Sequence, residues 1–255
     1  ESECLGTNAV HYQANIVLSE MAKLLHEEKV AVAHAAIAKK IKDGINTYLW
    51  VPSKGYYGQF LYGRNYKIVS PRSEALGEAL CILFGIAGEK RSRQIIASVP
   101  VTDYGISCIY PQIPNIPPYH NNAVWPFVQS YWALAAAKTG NTASLSESIS
   151  DIRRPAALFL TNKENFVADN GDFAGTQINS SNMLWSLSGN IAMIHRIFFG
   201  IAFEPDGLRF HPVIPKEFPG KHTLTNFKYR NAVLTIEIEG TGEILFCAIQ
   251  FSGGE

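Results

Sequence analysis

The sequence carries no excess charge of either sign, with 22 lysines and arginines against 22 aspartates and glutamates over 255 residues. No one-signed field is therefore on hand to gather nucleic acid or an anionic membrane, and a neutral ligand suits this balance better. Cysteine is scarce. Cys4, Cys81, Cys108 and Cys247 stand far apart, in no CxxC or other metal-ligand spacing, and three of them lie in apolar stretches, which predicts core thiols and no metal site. No apolar run reaches membrane length and no basic-plus-apolar leader is visible, so the expectation is a soluble chain, cytoplasmic or periplasmic. A P-loop, a dinucleotide fingerprint and a Ser-His-Asp set are also missing, and the lack of G-x-S-x-G disfavours an α/β hydrolase.

What is present is a globular composition, 47% hydrophobic and 17% charged, enough for one large domain and a small second one. From Asn8 to Phe199 apolar residues recur at helical spacing in seven segments. The first two run through Val10, Ala14, Val17, Met21 and Leu24, then Val32, Ala36, Ile41 and Ile45, and should form an antiparallel pair. A third is expected to open at Ser70-Pro71 and stop at Gly88, with a short fourth from about Glu89 to Val99 beside it. The fifth opens near Asn122 and buries Trp125, Val128 and Trp132 before a stop at Gly140. The sixth starts on the capping box Ser144-x-x-Glu147, and the seventh carries Met183, Leu184, Leu187, Ile191, Ile194 and Phe198. After Gly200 the period changes to two: Leu234, Ile236 and Ile238 alternate with Thr235, Glu237 and Glu239, and another strand follows from Ile244 to Phe251. The reading is a mainly α domain over residues 1–199 and a small antiparallel β domain over residues 200–255.

Connections between these helices alternate between short ones and long ones, the latter at 50–69, 100–121 and 161–180 and rich in Gly, Pro, Tyr and Asn. Loops of such length in a compact domain are usually functional. Their placement on alternate connections puts all three at one end of a ring of helical hairpins, where a pocket can form.

The most informative stretch runs from Asn162 to Ser186 and combines Glu164-Asn165-Phe166, a polar Asp-Asn-Gly-Asp loop and a helix start bearing Trp185. Here the sequence resembles the trehalases, the mannosyl-oligosaccharide-glucosidase-like hydrolases and the glycogen-debranching-like enzymes. In them a Glu-Asn/Lys-Tyr triplet, a glycine-containing loop and a Trp-Ser or Trp-Thr helix start recur in this order, with Phe166 here in place of the tyrosine. Two more matches are Pro118-Tyr119-His120-Asn121-Asn122-Ala123-Val124-Trp125-Pro126, like the family's aromatic-Pro helix start that builds a sugar-binding wall, and the glycine–aromatic turn Gly55-Tyr56-Tyr57. The resemblance covers most of the chain from about Trp50 to Phe199, by pattern rather than near identity.

The resemblance implies the C-terminal portion of an (α/α)6 toroid glycoside hydrolase, of which this chain supplies about seven helices. It implies an inverting, exo-acting enzyme for α-linked glucosyl or related sugars, with Glu164 as general base and no cofactor. Inversion needs a carboxylate roughly 6.5–9.5 Å from its acid partner, leaving room for the attacking water. Substrate contacts are expected from Tyr57, Arg72, Glu74, Asn121, Asn122, Trp125, Gln177 and Trp185: flat faces for a pyranose, and amides or charges for its hydroxyls. The family's general acid sits in a Trp-Asp type segment upstream of the base, and no such segment occurs here. The acid is therefore expected before Glu1 or on another chain, and the helical pattern that begins almost at once suggests a chain joined midway through a longer one. The expected partners are an oligosaccharide or glycoside and the N-terminal half of the same enzyme or another copy, which would cover an exposed apolar edge.

Other readings stay open. Glu164 alone would pass for a solvated loop carboxylate, Asp169 and Asp172 for turn formers, His120 for a structural histidine, and Trp125 or Trp132 for packing residues. A half-toroid without its acid would be a carbohydrate-binding or scaffold protein. A lyase or phosphorylase on the same helices would want a Tyr/His/Arg set or a basic phosphate site, neither of which the asparagine-rich loops suit.

Overall fold

The computed structural model describes residues 2–241 and 244–252. The tail of the expected β domain, residues 253–255, lies outside them. Seven α-helices are found among the described residues: α1 (Leu5–Leu24), α2 (Glu28–Gly44), α3 (Ala75–Leu83), α4 (Glu89–Ser98), α5 (Pro126–Lys138), α6 (Thr142–Phe159) and α7 (Leu184–Ala192). They lie in two rows. In the front row α1 packs on α3, α3 on α5 and α5 on α7, while α2, α4 and α6 stand behind α1, α3 and α5. The π-helical turns Ile45–Leu49 and Met193–Phe198 extend α2 and α7.

Short turns join the two members of each hairpin, and two of them pass through left-handed glycines, Gly85 (φ +70°) and Gly140 (φ +73°), a conformation that other residues adopt at a cost. At the opposite end, long connections carry the chain from the back row to the next front helix. These connections contain small strands that tie them together. Strand β1 (Ser2–Cys4) pairs with β4 (Phe60–Tyr62), and β4 with β5 (Ile68–Val69); β2 (Trp50–Val51) pairs with β3 (Tyr56–Tyr57). Strand β6 (Ser73–Glu74) pairs with β7 (Ile109–Tyr110), and β8 (Ala123–Val124) with β9 (Phe166–Val167). The starts of α1, α3 and α5 thus share one end of the molecule.

Three helix starts differ from those expected. The third helix begins at Ala75 rather than near Ser70-Pro71, because Ser73 and Glu74 pair with Tyr110 and Ile109 as extended backbone and Glu74 caps the helix, accepting from the Gly77 amide at 3.1 Å. The fifth begins at Pro126, since Ala123 and Val124 are drawn into β8. The sixth is capped by Asn141, whose side chain accepts from the Ser144 amide at 3.0 Å, so Ser144 lies inside the helix instead of capping it.

The apolar stripes of α1 and α7 are largely uncovered. Val10, Val17, Met21 and Leu24 are exposed, and the buried face of α1 consists instead of Leu5, Ala9, Tyr12, Asn15, Ser19 and Ala22. Val10, Ala14, Val17, Leu18, Met21 and Phe84 line an open apolar cleft of about 410 Å³. At the far end of the row Leu184, Leu187, Ile191 and Ile194 of α7 and its π turn are likewise exposed. Trp132, Ile149, Ile82 and Ile95 fill the middle of the core.

Beyond the helices, β10 (Ile201–Glu204) and β11 (Gly207–Phe210) form a hairpin, and β12 (Lys221–Tyr229), β13 (Ala232–Thr241) and β14 (Ile244–Ser252) an antiparallel sheet in that order. Leu234, Ile236 and Ile238 point inward, as the alternation predicts, and join the same apolar core as the helices. Of the four thiols expected in the core only Cys81 is fully buried. Cys4 and Cys108 are half-buried, and Cys247 is exposed on the edge strand β14.

Three buried carboxyls shape the pH response. Burial pushes Glu74 up to about 7 against the pull of two amide donors, and Asp151 of α6 up to about 7; it raises Glu78 well above the ordinary range. An acid with a raised folded value holds its proton longer when folded. Its stabilising contribution is complete below the ordinary values of 4.5 and 3.8 and is lost as the pH rises through about 7. Urea unfolding should therefore show the chain more stable at pH 5 than at pH 8, by an amount on the order of a few kcal/mol, and Glu78→Gln should narrow the gap. Equal stability at the two pH values would mean that these carboxyls are ionised in the folded chain.

Candidate active site

Glu164 lies on the long connection before α7, and its carboxyl group is held from two directions. The Tyr119 hydroxyl donates to Oε1 at 3.2 Å, and the Ser180 amide donates to Oε2 at 3.1 Å. The backbone closes the arrangement, with the Glu164 amide donating to the Ser180 carbonyl at 2.9 Å. Only 6% of the residue is exposed, so this carboxylate is not a freely solvated loop group.

The neighbours of Glu164 explain why its position is fixed. Asn165 is fully buried and donates from Nδ2 to the Ile178 carbonyl, while Asn179 Nδ2 donates to the Asn165 carbonyl at 2.6 Å and to that of Phe173 at 2.7 Å. Phe166 is buried against Val124 and Ala168, with Tyr104 packed beside them. Strand β9 then pairs with β8, and the Ala168 amide donates to the Asn122 carbonyl. Buried backbone groups must find partners, and here they find them across two loops.

Aromatic rings cluster on Tyr119, the donor to this carboxylate. Trp125 stacks on His120 with centroids 5.0 Å apart, meets Tyr119 edge-on, and donates from Nε1 to the Tyr119 carbonyl at 2.7 Å. Trp185 meets Trp125 edge-on and stacks on Phe127 at 4.8 Å. Trp125 is 2% exposed and Trp185 41%, so the ring open to a ligand is that of Trp185, with Trp125 packed behind it. Desolvation, then the nearby Glu164 charge, raises the Tyr119 phenol, which stays a hydrogen-bond donor.

The other expected contacts are placed unevenly. Asn122 is half-buried and donates to Asp169 Oδ2 at 2.8 Å, and Gln177 is exposed on the loop, its amide bound to the Pro118 carbonyl. Asn121 is buried and spends its side chain on the Ile113 amide and the Ile113 and Ile116 carbonyls. Tyr57 is fully buried, donating to Asn46 Oδ1 at 2.7 Å, with burial raising its phenol. Neither leaves a side-chain surface for a ligand. Arg72 donates to the Pro111 carbonyl, and Glu74 links the Gly77 and Gly6 amides of α3 and α1, so both hold loops and helix starts together. Asp169 accepts from Asn122 and Gln112, and Asp172 accepts from the Ala174 amide, as turn formers do. Among the described residues no group of three or more His, Cys, Asp or Glu side chains is placed to hold a metal ion, and no helix is long and apolar enough to cross a membrane.

No protein-family model and no curated protein sequence matches this chain. Solved structures do. A sialidase superposes with a TM-score of 0.75 at 17% identity over 98% of this chain and 25% of its own length. A GH78 family rhamnosidase of a Bacillus species gives 0.67 at 18% identity over 97% of this chain and 25% of its own. A GH63 mannosylglycerate hydrolase from Thermus thermophilus, in complex with glucose, gives 0.58 at 18% identity over 76% and 45%. The chain has a glycoside-hydrolase-like fold. It spans between a quarter and just under half of the length of these three proteins.

Within that fold the residues that sequence reasoning does not single out are Tyr119 and Ser180, the latter acting through its amide. Tyr119 stands next to His120 and six residues before Trp125. The available signal is its place in a Pro-Tyr-His-Asn turn entering the helix, but a tyrosine beside a proline gives no sign of which loop its hydroxyl will reach.

Proposed function

We propose that this chain supplies the base-bearing portion, residues 1–199, of an inverting glycoside hydrolase, followed by an accessory β domain over residues 200–255. Glu164 would deprotonate the water that attacks the anomeric carbon of a terminal α-linked glucosyl or related sugar. The observation that carries this reading is the buried Glu164 carboxylate, held by an amide and by the phenol of Tyr119, whose ring packs on Trp125 and through it on the half-exposed Trp185. Proteins of this fold include a hydrolase that holds glucose, a rhamnosidase and a sialidase, each a glycosidase by name. We place the general acid outside this chain, since Asp169 and Asp172 are engaged in their own loop. The front row α1, α3, α5 and α7 with its back row is read as an arc of an (α/α)6 toroid, and the exposed stripes of α1 and α7 as faces covered by the N-terminal half of the enzyme or by another copy.

A screen of the full-length enzyme against α-glucosides, α-mannosides and α-rhamnosides, with the anomeric configuration of the first product followed by proton NMR, tests the proposal. Release of the β-anomer supports it; retention of configuration, or no hydrolysis of any substrate, overturns it. A second reading, a non-catalytic sugar-binding arc, is favoured by the engagement of both loop aspartates. It would show itself as sugar binding without turnover in the complete protein.

A further inference from the structure

We infer that Tyr119 is the positioning residue of Glu164, fixing the orientation of its carboxyl group. The inference rests on the reading of Glu164 as the base.

Tyr119 is anchored without help from Glu164. Its amide donates to the Asn121 carbonyl at 2.9 Å, its carbonyl accepts from Trp125 Nε1 at 2.7 Å, and its ring lies edge-on to Trp125 at 5.1 Å. The hydroxyl is therefore set by the entry to α5. Glu164 is set separately, by β9 and by Ser180. A bond between two groups that are each held by different loops fixes a torsion that neither loop fixes alone, and Tyr119 thereby selects which carboxylate oxygen faces which donor. Both donors to the carboxyl group, the Tyr119 hydroxyl and the Ser180 amide, are neutral.

The titratable and charged groups around this pair are few. Lys163, next in sequence, is turned to Ser181 Oγ at 2.8 Å and over the Phe173 ring; His120 is stacked on Trp125; Asp169 is bound to Asn122 and Gln112. None of these three makes a hydrogen bond to the Glu164 carboxylate or to the Tyr119 hydroxyl.

The test is Tyr119→Phe in the full-length enzyme, since phenylalanine keeps the ring and removes only the donor. The Glu164 carboxyl carbon resonance is recorded by NMR in the absence of substrate, alongside kcat and KM. The expected result is a displaced carboxyl resonance, because one of its two donors is gone. Turnover should fall about tenfold with KM within about twofold of the wild type. An unmoved resonance overturns the inference even if hydrolysis is seen. A displaced resonance in a protein that hydrolyses nothing supports the Tyr119–Glu164 coupling while removing the base reading, so the two failures are told apart.

Discussion

Glu164→Gln in the full-length protein is expected, from the base role proposed for it, to lower turnover by about 10²- to 10⁴-fold, the range that a positioned general base contributes. The substitution preserves size but presents one acceptor and one donor to a site that offers two donors, the Tyr119 hydroxyl and the Ser180 amide. One of them must go without an acceptor, which costs about 1–3 kcal/mol of stability. The variant should therefore melt lower than the wild type yet remain folded, and far-UV circular dichroism should be unchanged. Because the role proposed for Glu164 is deprotonation of water, a small anionic nucleophile that needs no base offers a second readout. Azide should restore turnover to Glu164→Gly and give a glycosyl azide of inverted configuration. A Glu164→Gln enzyme within about tenfold of the wild type would remove Glu164 from the chemistry.

Gly77→Ala is expected to destabilise the chain by about 3 kcal/mol, near the upper end for an overpacked core position. A Cβ at residue 77 would stand 2.4 Å from Glu74 Oε2 and 2.9 Å from the Gly6 backbone nitrogen, and at residue 6 it would stand 2.9 Å from the same carboxyl oxygen. The two glycines let the first turns of α1 and α3 approach closely enough for one carboxyl group to accept from both, at 3.2 Å and 3.1 Å. The neighbour at 2.9 Å is backbone, so relief requires the helices to separate. Gly44→Ala is the comparison: nothing lies within 4 Å of its Cβ, and alanine in a helix should be neutral or stabilising there by about 0.5–1 kcal/mol. Thermal melts of the two variants decide the point. If Gly77→Ala and Gly44→Ala melt alike, the close approach of α1 to α3 contributes nothing.

The order of helices, the alternation of short and long connections and the inward set Leu234, Ile236 and Ile238 were legible because they depend on local periodicity. What sequence could not show depends on pairing between distant segments. The stretch Pro71–Glu74 has capping residues and a proline, yet residues 109–110 claim its end as a strand. The stripe Val10, Val17, Met21 reads as a buried face by its composition, but α2 and α3 take the side lined by Ala9, Asn15 and Ala22, where small residues allow close approach. Glu164 could be singled out through a resemblance, and its placement is reported by no periodicity at all. Tyr57 and Trp125 looked alike as aromatic residues near glycine or proline. Their burial was decided by Asn46 in one case and by the Tyr119 carbonyl in the other.

The small strand pairs have a consequence for how such a site can diversify. Backbone ladders join Ser2 to Tyr62, Ser73 to Tyr110 and Ala123 to Val167, so each long connection is stitched at fixed points to a neighbouring segment. Between β4 and β5 lies one span, 63–67, that is outside the bonds holding Glu164 and whose length and composition can drift without disturbing the register on either side. Spans 111–121 and 170–180 have no such freedom, because Tyr119 in one and Ser180 in the other grip the Glu164 carboxyl group, so an insertion there would reach the carboxyl directly.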